Sequence, residues 1–187
     1  EAVVQFNKAL SMDKSHTEIY KDISDVYEKK RDFPKAIEAY KNYLDEMKSS
    51  PDISDLFLYG RLNYYAATDS AYQDKQPTYL AEADTIFAQV AVKVPDNYLG
   101  NFWRARVNSL RDPETTQGLA KPYYEAALSI LEQKPDATKS VLVECNSYLG
   151  YYYFVKEDYN QSKQYWNKIL EIDPENETAT KALGGIK

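Results

Sequence analysis

The sequence predicts an all-α protein assembled from repeated helical units, and three observations predict it. A small residue followed by an aromatic four positions later recurs along the chain: Ala2 and Phe6, Ala36 and Tyr40, Ala83 and Phe87, Ala120 and Tyr124, Ser162 and Trp166. A further small residue lies upstream of each complete example, inside a helical pattern: Ser24, Gly60, Ala105 and Gly150. Finally, Tyr151 to Phe154 is an unbroken run of aromatics. A helix turns about 100° per residue, so such a run cannot share one face. It calls for a helix with neighbours nearly all round.

Composition narrows the function classes. Of the 187 residues, 43% are hydrophobic and 28% charged, an ordinary globular balance. The 18 tyrosines suit a fold with many half-buried rings, since Tyr buries its ring while its hydroxyl stays near water or a partner. A net charge of -6 argues against nucleic acid, which needs clustered Lys and Arg. No apolar run approaches the length of a membrane span, which argues against direct insertion as a helix. The single cysteine, Cys145, excludes an internal disulfide. The chain starts without Met and "EAVVQFNKAL" reads as helix from its first residue, so a fragment is expected, with any targeting signal upstream.

Taken in order, residues 17–50 supply Tyr20, Ile23, Ser24, Tyr27, Ala36 and Tyr40, with Lys48 where a proline would end the unit. Residues 143–176 supply Leu149, Gly150, Tyr153, Ser162, Trp166 and Pro174, with Asn146 where an aromatic is usual. These two stretches resemble the tetratricopeptide repeat, W-x₂-L-G-x₂-Y then A-x₃-F then P in about 34 residues. Between the paired small residues the step is 12 from Ser24 to Ala36 and from Gly150 to Ser162. It is 23 from Gly60 to Ala83, which places 11 extra residues around "TDSAYQDKQPTY", Thr68 to Tyr79, expected as a long loop or an extended helix end. It is 15 from Ala105 to Ala120, three extra at "RDPETTQG", and Arg104 stands where Leu is expected. A further lengthening falls at "EQKPDATK".

The resemblance implies a single right-handed superhelical solenoid over 1–187, with about four complete repeats and a partial repeat at each end. The expected parts are 1–14 as the second helix of a truncated repeat, repeats at 17–50, 53–97, 98–134 and 143–176, and a capping helix at 178–187. In such an array the small residue lets two helices approach and the aromatic fills the space beside it. One pair cannot bury its apolar face alone, so pairs stack. By the family's geometry Tyr151 looks into a concave groove, Tyr153 packs on the second helix, and Phe154 approaches the neighbouring repeat.

The same geometry points the residue after each small residue into the groove: Asp25, Arg61, Arg106 and Tyr151. One turn earlier come Lys21, Phe57, Phe102 and Ser147. The middle repeats thus share Phe-x₃-Arg-x-Asn: Phe57, Arg61 and Asn63, then Phe102, Arg106 and Asn108, with Tyr64 and Tyr65 flanking the first copy. Guanidiniums beside rings make a peptide-binding patch, since Arg grips carboxylates bidentately and stacks on aromatics. The expected partner contacts are therefore Phe57, Arg61, Tyr64, Tyr65, Phe102, Arg106 and Tyr151. A purely structural alternative pairs Arg61 with Asp25 in the next repeat, leaves Arg106 solvated, and has Asn63 and Asn108 bridge helices.

Catalytic and cofactor chemistry finds no support. His16 is the only histidine and sits in a loop, which rules out a multi-histidine metal site or a Ser-His pair within this chain. Cys145 reads as a small core residue, and the scattered glycines make no phosphate loop. The family's chaperone-tail clamp needs Asn where Asp25 stands, and an acid there repels a carboxylate. Lys21 alone matches. The sequence therefore reads as a non-enzymatic interaction scaffold for a peptide or helix of a protein partner, with no cofactor and no metal. A structural spacer or self-assembly module is the second reading, and glycan binding on the Tyr-rich surface a third. Phrases such as "YKDISDVYEKKRDFPKAIEAYKNYL" resemble repeat proteins of Bacteroidetes-type bacteria, which implies the periplasm or cell envelope as a location.

Overall fold

The computed structural model describes residues 2–13, 16–47 and 49–186. Lys48, the expected departure from the repeat pattern, and the first and last residues lie outside them. The described residues form α-helices and one 3₁₀ turn, with no strand among them. The helices are α1 (Ala2–Met12), α2 (Glu18–Lys29), α3 (Phe33–Glu46), α4 (Ile53–Thr68), α5 (Gln76–Lys93), α6 (Leu99–Arg111), α7 (Lys121–Leu131), α8 (Lys139–Val155), α9 (Tyr159–Ile172) and α10 (Glu177–Gly185). The 3₁₀ turn, Ser70–Lys75, joins α4 to α5. The chain divides into two compact units, Glu1–Val90 and Ala91–Lys187.

In the first unit α2 packs on α3, and α1 packs on α2. Leu10, Ile23 and Ala39 form a small core with Val3, Phe6, Ile19, Tyr20 and Tyr27 against it. The paired small residues do what the pattern requires. Ser24 is buried where α2 meets α3, and its hydroxyl donates to the Ala36 carbonyl at 2.8 Å. Gly60 lies against the Phe87 ring so closely that a Cβ would sit 2.8 Å from it. Burying a Phe of this kind contributes about 1.5–3 kcal/mol, and only glycine leaves the room for it.

The second unit repeats the arrangement, with α6 packed on α7, α7 on α8, α8 on α9 and α9 on α10. A Cβ on Gly150 would lie 2.7 Å from the Trp166 indole, and the Ser162 hydroxyl donates to the Gly150 carbonyl at 2.8 Å. Trp166 and Ile169 share a core with Ala179 of α10 and Ile186 just beyond it. Arg31 and Glu157 each follow their small residue by seven positions and close the inter-helix turn with φ of 59°. Helix starts carry their own signals: Pro in the first turn of α3 and α7, Asp158 accepting from the Gln161 amide, and Asn176 accepting from the Ala179 amide.

Two of the three lengthened segments are held by specific contacts. Around the 11-residue insertion, α5 extends back to Gln76 and the 3₁₀ turn folds onto the α2–α3 turn. There Arg31 donates to Asp69 at 2.7 Å, the Tyr72 hydroxyl donates to the Arg31 carbonyl at 3.1 Å, and the Tyr72 ring meets Phe33 edge-on at 6.3 Å. The Ala71 amide and the Arg31 guanidinium hold the Asp69 carboxyl below its ordinary pKa. In the α6–α7 loop, buried Asp112 plays the organising part. It accepts from the Gln117 and Gly118 amides at 3.0 and 2.7 Å. The third repeat's Arg104 is explained as well: its guanidinium lies 4.2 Å from the Tyr123 ring centroid and donates to the Tyr123 hydroxyl.

Candidate protein-interaction site

In the first unit, Phe57 is half-buried and meets Phe87 edge-on at 5.9 Å. Arg61 lies over the Tyr65 ring at 5.5 Å, and its guanidinium reaches Glu28 at 3.4 Å. The ion-pair partner is thus Glu28, one turn beyond Asp25, which stays exposed. Tyr64 and Tyr65 contact each other at 6.0 Å, and Tyr65 also approaches Phe33. Asn63 does not bridge helices: it donates to the Tyr59 carbonyl of its own helix at 3.0 Å. Lys21 is engaged too, 3.2 Å from the buried Asp55 and over the Tyr43 ring. Burial opposes the Lys21 charge, but the hydrogen bond and charge of Asp55 outweigh it and hold its pKa above the ordinary value. The Tyr40 hydroxyl donates to the same carboxylate at 3.4 Å, and burial beside that charge drives the phenol's pKa well upward.

In the second unit the corresponding residues are bound more tightly. Phe102 is only 4% exposed and packs edge-on against Tyr124 at 6.3 Å, so it is a core ring rather than a contact surface. Arg106 is not solvated. It grips Glu144 bidentately, Nε at 2.7 Å and a terminal nitrogen at 2.5 Å, and lies over both Phe102 and Trp103. The Tyr124 hydroxyl donates to Glu144 at 3.2 Å, and burial lifts that phenol's pKa far above the ordinary range. Asn108 donates to the Arg104 carbonyl within α6 at 2.9 Å, and Asn146 makes the same bond to Leu142 within α8.

The opening run of aromatics resolves side by side. Tyr153 stacks on Tyr165 of α9 at 5.6 Å, as expected. Tyr152 is the ring that turns toward the α6–α7 loop, where it lies so near Gly118 that a Cβ there would clash at 2.4 Å. Tyr151 and Phe154 remain 43% and 42% exposed, and Phe154 leans on Tyr159. Together with Trp166, Lys181, Ala182, Gly185 and Ile186 they line an open groove of about 240 Å³ between α8, α9 and α10. Sequence reasoning found Tyr151 but missed the α10 wall, and it missed Asp55 and Glu144. The available signal was an acid five or six positions before Gly60 and Gly150.

The cysteine is not activated. Burial, with Glu144 adding to it, pushes the Cys145 thiol up to about 12, so the thiolate is suppressed. His16 is exposed beside Asp13 at 3.3 Å. Among the described residues no group of three His, Cys, Asp or Glu side chains is placed to hold a metal, and no helix is long and apolar enough to cross a membrane.

Paired helices with a small residue under an aromatic, in both units, find their counterpart among solved structures. The C-terminal part of a tetratricopeptide repeat-containing protein from Cytophaga hutchinsonii superposes with a TM-score of 0.82 at 31% identity, over 97% of this chain. The fold is that of a tetratricopeptide-repeat protein. This chain spans 65% of that relative's solved length. A tetratricopeptide-repeat protein of Thermus thermophilus matches at TM-score 0.57 and 15% identity, over 97% of this chain and 86% of the other. Yeast Tom70 matches at 0.58 and 16%, over 97% and 34%. The Cut9–Hcn1 hetero-tetramer matches at 0.56 and 13%, over 97% and 31%. At those identities the last three speak for the tetratricopeptide fold alone. No protein-family model matches the sequence, and no curated protein matches it.

Proposed function

We propose that this chain is a non-catalytic protein-interaction module that holds a peptide or helix of a protein partner on the faces of its first helices. The observation that carries the reading is the open aromatic groove at Tyr151 and Phe154, whose rings are 43% and 42% exposed. Exposed aromatic clusters of this kind favour interfaces. On the first unit, Phe57, Arg61, Tyr64 and Tyr65 form a second candidate face. On the second unit Tyr151 lines the groove, whereas Phe102 packs on Tyr124 and Arg106 grips Glu144. The hetero-tetrameric assembly of Cut9 with Hcn1 illustrates the class of role the fold serves.

The test is affinity capture followed by mass spectrometry with the protein and two variants. Tyr151→Glu with Phe154→Glu should lose a discrete set of partners while helicity by circular dichroism is unchanged. Arg61→Glu with Arg106→Glu reverses the charges of the paired guanidiniums. Capture that survives both double substitutions overturns the assignment of these faces, and the absence of any discrete partner with the unaltered protein overturns the module reading in favour of a spacer.

A further inference from the structure

We infer that the groove between α8, α9 and α10 takes a bulky apolar side chain of a partner peptide that has a carboxylate beside it. This rests on the module reading and names the partner's chemistry at that site. Three observations carry it. The lining is almost wholly apolar, with the Trp166 indole as floor and the Tyr151 and Phe154 rings on the α8 side. A pocket of about 240 Å³ accommodates a Phe or Leu side chain but not a folded element. The lining carries one formal charge, Lys181, and no acid.

Charge complementarity then selects the neighbour of the buried side chain. The only partner of Lys181 in its own helix is Glu177 at 3.0 Å, and both side chains are highly exposed, 77% and 82%. An exposed i,i+4 pair of this kind is weak and screened by solvent, so the ammonium can exchange it for a partner's carboxylate. Gly185 completes the site. A side chain there would meet nothing within 4 Å, so the wall is left low and a peptide backbone can cross it.

The experiment uses the whole chain and three blocked hexapeptides with central Phe-Asp, Ala-Asp or Phe-Lys, titrated by tryptophan fluorescence and isothermal calorimetry. The Phe-Asp peptide should saturate, and each of the other two should bind at least about tenfold more weakly, a loss of about 1.4 kcal/mol. Lys181→Glu should invert the preference between Phe-Asp and Phe-Lys. Gly185→Leu, which the open space at that position tolerates, should abolish binding with helicity intact. Equal binding of the Asp and Lys peptides, undiminished binding by Gly185→Leu, or no saturation by Phe-Asp each overturns the inference. Partner capture that still depends on Tyr151 and Phe154 in any of these cases leaves the module reading standing, so the two failures are separable.

Discussion

The two units build the same clasp from different residues. In the first, Asp55 of α4 receives the Tyr40 hydroxyl and the Lys21 ammonium. In the second, Glu144 of α8 receives the Tyr124 hydroxyl and the Arg106 guanidinium. Each clasp ties one hairpin's second helix and first helix to the next first helix. The acids differ in setting. The Asp55 side chain is 5% exposed and also closes a capping box with Asp52, whereas that of Glu144 is 32% exposed. A short acid at a helix start is held by backbone amides and tolerates a point charge. A long acid in mid-helix needs the flat fork of Arg to fix it. The same connection therefore has an unequal weight in the two units.

Breaking the clasps should expose that inequality. Asp55→Ala removes a cap and strands a half-buried ammonium and a buried phenol, so it should cost about 3–5 kcal/mol by urea denaturation. Glu144→Ala removes a more exposed acid and no cap, and should cost less, about 1–3 kcal/mol. If the order is reversed, solvent exposure has been misjudged as the deciding variable.

Small-residue contacts allow a second comparison, of similar size in both units. Gly60→Val and Gly150→Val each drive a side chain into an aromatic ring and should each lose about 1–3 kcal/mol.

Alkali gives a third comparison. The folded-state pKa values of Lys21, Tyr40 and Tyr124 lie above their ordinary values. Their stabilisation is complete below the unfolded pKa values near 10 and is lost as pH rises beyond them. Stability measured by urea titration should therefore fall above about pH 10, with Lys21→Met removing the lysine's share from the first unit alone. Asp69 has the opposite sign. Its pKa is depressed, so its contribution is present above about pH 4 and disappears as pH falls toward its lowered value. Asp69→Asn should flatten the acid limb.

The smallest effect should come from the two left-handed turns. Arg31→Gly and Glu157→Gly relieve a positive φ and should each change thermal stability by no more than about 1 kcal/mol. Glu157→Gly should gain. Arg31→Gly should not, because Arg31 also holds Asp69.

The helix pairs were legible because their signal is local and periodic. A small residue under an aromatic leaves the same trace at Gly60 and Phe87 as at Gly150 and Trp166, even with 11 residues inserted between. The site was legible only in part. Which acid an Arg meets depends on the rise between adjacent helices, a quantity of a few ångströms that no spacing within one helix encodes. Hence Arg61 finds Glu28 instead of Asp25, and Arg106 finds Glu144. Asn63 departs for another reason: its side-chain amide finds the carbonyl four residues back in its own helix.

One contact changes how the first unit should behave in time. The 3₁₀ turn reaches back 41 residues to place Tyr72 on the Arg31 carbonyl. The early hairpin's bend is thereby locked from outside by chain made much later. Amide protons at that bend should exchange only when the later hairpin also opens, so both should share one hydrogen-exchange free energy. Synthesis has to run past Tyr72 before the latch can close.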